Sequence, residues 1–370
     1  MIHYLRNNNR KGADIYVFGC GISGQNIFTA LTVSGIVVKG FFDNSYPEGG
    51  KLRNTEILPL CILEGCDREK TYIIIASRGR KDIEKQLKEM GIIHIIDRRE
   101  LAIDYHSDFP VLSFDICKTP EVSILVTACN EWQYTYNCFY SLLHHKIQTD
   151  YEIIFGEDVS TDMNKIAEQF LHGVQVVHNQ ERMNYLGNVN NIAKLAKGDF
   201  IVLLANDTVI MQDYWIDRML DIMKNDKNVG MVSGKYWIPS IGEYDTAFNY
   251  GDNWEEVRLR PDDHLQAVDF VWPVASMIRK SVWDSIGGFS EEFLPAFRED
   301  NDLCMKIIHK GYKCIYVPDI ETIHFRGTSY ERNEDSLYLM EKNYNLFVDK
   351  WKNYKKSSKT EYIQEKELVE

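Results

Sequence analysis

Short apolar runs alternate with amphipathic stretches along most of the chain. "DIYVFG" (Asp14 to Gly19), "IVVKGFFD" (Ile36 to Asp43), "TYIIIAS" (Thr71 to Ser77) and "IIHIID" (Ile92 to Asp97) read as buried strands. Between them, "SGQNIFTALTVSG" and "RKDIEKQLKEMG" carry apolar residues at helical spacing. Continuous apolar strands separated by helices are the mark of βαβ units and a mostly parallel sheet, because a parallel strand is covered on both faces. The pattern dissolves in "DYHSDFPVLSFDICKTPE" (Asp104 to Glu121), which holds two prolines and no clear period. A break of this kind reads as a seam between domains.

A second alternating series follows. "VSILVTA", "YEIIFGED", "VQVVHN" and "FIVLLAND" read as strands; "EWQYTYNCFYSLLHH", "TDMNKIAEQFL" and "NVNNIAKLAKG" read as helices. Near the end, "NEDSLYLMEKNYNLFVDKWKNY" places Leu337, Met340, Tyr344, Phe347 and Trp351 at three-to-four spacing, which predicts a helix packed across the second domain. The expected organisation is α/β. A Rossmann-like domain covers residues 1–105 and a linker 106–121. A second α/β domain with a C-terminal helix covers 122–356, and a polar tail 357–370.

Composition narrows the class. The 370 residues favour two domains over one. A net charge of -13 argues against nucleic acid as the main partner, since a phosphate backbone needs a basic surface. No run approaches the ~20 apolar residues of a membrane span, and the N-terminus lacks a signal-peptide core. The eight cysteines are scattered without a CxxC pair and read as reduced thiols in a cytosolic protein. The lysine-rich stretch "KWKNYKKSSK" reads either as a solvated helix end or as a peripheral contact with the inner face of a membrane.

Two sets of residues carry candidate chemistry. In "FGCGISG", Gly19, Gly21 and Gly24 have G-x-G-x-x-G spacing between a strand and a helix, and Asp43 ends the next strand where a ribose-binding acid belongs. Glycines there let the backbone approach a diphosphate at a helix N-terminus. The same glycines also suit tight strand–helix packing, so a nucleotide cradle and a bare turn both remain open. The segment resembles small Rossmann-like modules attached to sugar-modifying enzymes, including the nucleotide-sugar-binding halves of some sugar acetyltransferases; "GFFDNS" and "IIIAS" carry that likeness.

The second set occurs in order: "SILVTACNE", "YEIIFGEDVSTD", "NVNNIAKLAKGDFIVLLANDT", "GGFSEEFLPAFREDNDLC" and "IHFRGTS". Together they strongly resemble the family 2 glycosyltransferases, of GT-A fold, from about Val122 to Trp351. The resemblance implies transfer of a sugar from a nucleoside-diphosphate donor to a hydroxyl of a glycan, polysaccharide or lipid-linked acceptor. It implies Glu157 and Asp158 at the nucleotide, framed by Thr127 and Asn130, with Asn206 near the donor; Asn190, near the start of an expected helix, faces either the donor or its own cap. Asp207 matches the last acid of a D-x-D-type motif. With His324 it would hold a divalent cation, manganese or magnesium, against the diphosphate. Asp300 matches the base of an inverting transfer, which takes the acceptor's proton. Glu299 and Asp302 are its neighbours, with Asp302 read as a helix cap. Trp272 reads as a sugar-stacking ring or a core residue, and residues 237–264 as an acceptor or lid loop. Ala205 and Asn206 stand where many relatives carry further acids. Two rivals follow from the residues: an NAD-dependent nucleotide-sugar oxidoreductase or epimerase run by the glycine-rich turn, and a non-catalytic nucleotide-binding scaffold.

Overall fold

The computed structural model describes residues 2–33, 35–52, 55–77, 80–98, 109–239, 243–325 and 334–353. The chain forms two compact units, Met1–Ser107 with Ile238–Glu243, and Asp108–Trp237 with Tyr244–Glu370.

The first unit runs α1 (Ile2–Arg10), β1 (Asp14–Phe18), α2 (Ile22–Val33), β2 (Val38–Phe42), β3 (Gly50–Leu52), β4 (Thr55–Ile57), β5 (Thr71–Ile75), α3 (Arg80–Glu89) and β6 (His94–Asp97). Its sheet has the order β3-β4-β2-β1-β5-β6. All pairs are parallel except the β3–β4 hairpin. Ile15, Val17 and Ile74 face one core and Tyr16, Phe18, Ile73 and Ile75 the other, as a strand of period two covered on both sides requires. Chain order reverses between β1 and β5, so the end of β1 lies at a topological switch point.

The second unit begins earlier than the apolar pattern predicts. Residues 109–121, expected as linker, fold onto it. β7 (Leu112–Ser113) pairs with β10 (Leu171–His172), and Leu112 and Phe114 are buried. The Tyr136 hydroxyl donates to the Pro110 carbonyl at 2.6 Å. The remaining elements are β8 (Val122–Ala128), α4 (Trp132–His144), β9 (Tyr151–Glu157), β11 (Gln175–His178), α5 (Asn184–Ala193), β12 (Phe200–Ala205), β13 (Thr208–Ile210), α6 (Trp215–Asn225), β14 (Val229–Ile238), β15 (Glu243–Asp245), β16 (Phe248–Tyr250), β17 (Glu256–Arg258), β18 (Gln266–Val268), β19 (Ala275–Arg279), α7 (Lys280–Ile286), α8 (Glu299–His309), β20 (Lys313–His324) and α9 (Glu334–Trp351).

The main path of the large sheet is β11-β9-β8-β12-β19-β14-β20-β13. β11, β9, β8 and β12 are parallel, and β19 joins β12 antiparallel. Val122, Ile124, Val126, Val202 and Leu204 face the core under α4 and α6; Leu125, Ile201 and Leu203 face the opposite core with α5, α7 and α8. Burying each such side chain contributes about 1.5–3 kcal/mol, so these two central strands anchor the unit.

Three expectations shift. "TDMNKIAEQFL" forms a 3-10 segment, Met163–Gln169, with Ile166 out of helical geometry at φ -128°. Asp162 caps it by accepting from the Asn164 amide at 3.0 Å, and the same carboxylate accepts the Trp132 amide at 2.8 Å, so it serves two elements. α5 starts at Asn184, which puts Asn190 and Asn191 toward its C-terminal end rather than its start. On α9, Leu337 and Met340 are exposed, while Asn343, Phe347 and Trp351 are buried. The polar Asn343 faces inward because it has carbonyls to bind, described below.

Candidate active site

Asp207 lies in the turn that leaves β12. β13 runs antiparallel to the end of β20 with Thr208 opposite His324. That register sets Asp207 beside His324. The Phe325 amide donates to the Asp207 carbonyl at 3.0 Å, and Asp207 Oδ1 lies 3.1 Å from His324 Nε2. Helix α4 holds the turn from beneath with one buried polar stripe. Asn206 Nδ2 donates to Thr135 Oγ1 at 3.0 Å, Cys138 Sγ lies 3.6 Å from the Ala205 carbonyl, and the Ile210 amide donates to Ser141 Oγ at 3.0 Å. Spacing of three along α4 makes the stripe. It is a site feature that sequence reading missed; polar residues inside an apolar helix were its signal.

The pair fits a divalent cation in part. Cis ligands of an octahedral ion with bonds near ~2.1 Å stand roughly 3 Å apart, and Asp207 Oδ1 and His324 Nε2 have that spacing. A carboxylate with an imidazole suits manganese. His324 Nδ1 is buried and has no hydrogen-bond partner among the described residues. No group of three or more His, Cys, Asp or Glu that could hold a metal occurs among the described residues. Among the described residues Asp207 and His324 are the two candidate ligands, and Asn206, bonded to Thr135, adds no charge.

The acids after β9 are engaged internally. Asp158 Oδ1 accepts from the Met183 amide at 2.8 Å and from Asn179 Nδ2 at 3.0 Å, and Oδ2 accepts from the Asn184 amide at 2.9 Å. It thereby caps α5. Glu157 accepts the Ser160 amide with Oε1 and pairs with His178 Nδ1 through Oε2 at 3.0 Å. That hydrogen bond raises the His178 pKa; burial opposes it, and Glu168 on the other ring nitrogen adds to the rise. Asn130 Oδ1 accepts from the Thr161 amide at 2.7 Å, and its own amide donates to Ser160 Oγ at 2.9 Å. Thr127 lies level with Ala205 and Gly156 on the flanking strands. Gly156 is needed for close approach, since a Cβ there would stand 2.2 Å from Asn188 Oδ1.

Asn190 serves neither of the two places expected for it, the donor or its own helix cap. Its Nδ2 donates to the Phe289 carbonyl at 2.9 Å, and its Oδ1 accepts from the Phe289 amide at 2.9 Å. Both ends of the amide are used in docking "GGF" onto α5. Trp272 belongs to the core alternative: Nε1 donates to the Thr246 carbonyl at 3.1 Å, and Phe270 and Tyr236 meet its ring edge-on. The expected lid loop folds in part as the β16–β17 hairpin, with Phe248 and Tyr250 buried.

Glu299 and Asp300 open α8. Glu299 is 8% exposed and its carboxyl is held well above the usual range, first by burial and then by the charge of Asp300. Asp302 is fully buried and accepts from Ser290 Oγ at 2.5 Å and Trp351 Nε1 at 3.0 Å, with Lys350 Nζ at 2.8 Å. It ties α9 to α8.

Tyr185 of α5 is a further side chain that sequence reading missed; its hydroxyl donates to the Pro273 carbonyl at 3.4 Å and its ring lies 5.4 Å from that of Phe289. Burial, and then the charges of Asp300, Glu299 and Asp207, push its phenol well above the usual value. Left-handed backbone clusters in the same region: Asn130 and Glu131, Val159, Asn184, and Phe297 and Arg298 all have positive φ. Such strain at non-glycine positions gathers at functional sites, where surrounding structure over-determines it. Arg182 is a further basic group at this edge, 3.5 Å from Asp158 Oδ2 and in contact with Cys129.

In the first unit the glycine-rich turn is closed by its own acid. Asp43 Oδ2 accepts from the Cys20 amide at 2.9 Å and Oδ1 from the Ser45 amide at 2.9 Å. Burial pushes this carboxyl up, but the two amides outweigh it and hold it below its ordinary value. Gly24 is required by packing, since a Cβ there would lie 1.8 Å from the Gly19 carbonyl oxygen. Gly19 itself has φ 104°, and Gly21 has open space around it.

An open α/β sheet with acids gathered at its carboxyl edge defines a nucleotide-binding class of fold. Residues 123–286 match the model of glycosyl transferase family 2, and the second unit shares the GT-A fold of the solved glycosyltransferases it resembles. The crystal structure of GalNAc-T7 with UDP, GalNAc and Mn2+ superposes with a TM-score of 0.52 at 17% identity, covering 64% of this chain and 50% of that one. The mannosyltransferase PcManGT from Pyrobaculum calidifontis, in complex with GDP-Man and Mn2+, gives 0.48 at 15% identity over 67% of this chain and 69% of its own. Among curated sequences, the uncharacterized protein y4gI of Sinorhizobium fredii (strain NBRC 101917 / NGR234) is 22% identical over 228 residues, 57% of this chain. The chain spans 25% of the length of that relative. No described helix is long and apolar enough to cross a membrane.

Proposed function

We propose that the second unit transfers a glycosyl group from a nucleoside-diphosphate sugar to an acceptor hydroxyl, with inversion at the anomeric carbon. The observation that carries this reading is the pairing of Asp207 with His324, set by the register of β13 against β20 at the end of the buried strand β12. The family match and the donor and Mn2+ named for GalNAc-T7 support it.

Asp300 accepts the acceptor's proton as the hydroxyl oxygen attacks the anomeric carbon. The bond from that carbon to the diphosphate breaks, and the diphosphate leaves with the electron pair. Burial, and then the charge of Asp300, push the Glu299 carboxyl well above its ordinary range. Asp207 and His324 would hold a divalent cation, whose charge offsets that of the departing diphosphate when bound. With two protein ligands, the rest of the coordination falls to the donor phosphates and water, so metal and donor should bind together. Asp158, Glu157 and Asn130 shape the loops around the nucleotide through backbone bonds, and Thr127 and Asn206 line the same edge. A glycan, polysaccharide or lipid-linked acceptor, handled at the inner face of a membrane, is the acceptor class we infer from the family resemblance.

The Asp43 bonds to Cys20 and Ser45 favour a packing role for the glycine-rich turn over a dinucleotide site, and so speak against an oxidoreductase. Incubation with a panel of nucleotide sugars and Mn2+, following nucleoside diphosphate release, tests the proposal. Release by the parent and its loss in Asp300→Asn is expected. No release from any donor would favour a non-catalytic scaffold.

A further inference from the structure

The residues around Glu299 and Asp300 are anchored one by one from outside α8. Asn343 of α9 is fully buried, and its Nδ2 donates to the carbonyls of Phe293 at 3.0 Å, Ala296 at 2.7 Å and Phe297 at 3.2 Å. Phe297 and Arg298 then follow at φ 77° and 69°. Arg298 Nη1 donates to Glu256 Oε1 of β17 at 3.0 Å, and its guanidinium lies 4.9 Å from the Tyr344 ring centre. On the other side, Asn301 Nδ2 donates to the Tyr250 hydroxyl of β16 at 2.6 Å. Both residues are buried, and the Tyr250 ring is fixed between Phe248, Trp254 and Phe347.

A bulky residue in the left-handed region is strained and persists only under external restraint. Here the restraints come from two elements distant in sequence. The hairpin β16–β17 grips Arg298 and Asn301, the residues on either side of the acid pair, and α9 grips the turn before it. The hairpin also reaches the surface, where Val257 is 54% exposed, and Glu256 Oε2 bonds Arg258 at 2.9 Å.

We propose that this hairpin and α9 form a two-sided clamp that positions Asp300, with Tyr250 and Glu256 as positioning residues for the transfer step. The inference rests on the reading of Asp300 as the base. Side-chain placement to within a fraction of an ångström governs proton transfer and attack, so loosening the clamp should slow turnover and leave donor binding intact.

Tyr250→Phe keeps the buried ring and removes only the hydroxyl that Asn301 uses. The expected result is a fall in kcat of about tenfold or more, with the donor KM changed by less than about twofold, and faster hydrogen exchange in the peptide spanning Glu299 to Leu303. Glu256→Gln, on the partly exposed rim, should shift the same quantities in the same direction by less, and provides the test if Tyr250→Phe folds poorly. Unchanged exchange in that peptide would overturn the clamp whatever the activity. Faster exchange with unchanged kcat would overturn its role in transfer. If the parent consumes no donor, the base assignment has failed, and the clamp stands or falls on exchange alone.

Discussion

Asp43 and Asp207 both stand just beyond buried strands, and they meet opposite fates. Asp43 folds back on its own turn and takes two backbone amides, from Cys20 and Ser45. Asp207 faces the imidazole of His324, brought to it by the pairing of β13 with β20. A carboxylate satisfied by its own backbone is part of the scaffold. One held against an imidazole at the spacing of metal ligands is the one proposed to act in the transfer. An acid at the end of a strand is therefore not a site by itself; the groups that meet it decide.

The largest effect should come from the α8 acids. Asp300→Asn is expected to lower turnover about 10²–10⁴-fold, the usual worth of a positioned base, with the nucleoside diphosphate still bound. Steady-state kinetics with a consumed donor checks this, and turnover above a tenth of the parent's would break the assignment. Asp207→Asn should cost roughly 10²–10³-fold, and Asp43→Asn should leave transfer unchanged. A loss of similar size in both would erase the difference drawn between the two turns. Next in size is the scaffold under the site. Leu203 is 1% exposed in β12, and Leu203→Ala should lower unfolding free energy by about 2–5 kcal/mol, read by denaturant titration.

The smallest effects are those of pH. The folded pKa of His178 is raised above its ordinary value of 6.5, so its stabilising bond to Glu157 is fully present below that value and is lost as pH rises through the folded pKa. Asp43 has the opposite sign: its folded pKa is below 3.8, so its contribution is present above that value and is lost as pH falls through the folded pKa. Melting curves of His178→Gln should lose the alkaline dependence, and those of Asp43→Asn the acid one. Both groups are partly exposed to solvent, which keeps each effect small.

Much of this was legible in the residues. Short continuous apolar runs placed β8, β9 and β12, and the order of acid-ended strands pointed to the family before any geometry. The pairing of Asp207 with His324 depends on register between segments far apart in sequence, which no local pattern carries. Asn190 was read as facing either the donor or its own cap, from its place near the start of an expected helix. The helix in fact starts earlier, and Asn190 binds the Phe289 backbone. Asn343 broke the apolar stripe expected of α9 because three carbonyls of a strained turn needed a donor.

The central claim is that Asp207 and His324 bind a cation together with the donor diphosphate. Thermal shift of the whole chain with UDP or GDP, with and without Mn2+, tests it directly. Stabilisation by one nucleotide should require Mn2+, vanish in Asp207→Asn and in His324→Ala, and persist in Asp43→Asn. A Mn2+-dependent shift that survives Asp207→Asn, or one that vanishes in Asp43→Asn, would contradict the account.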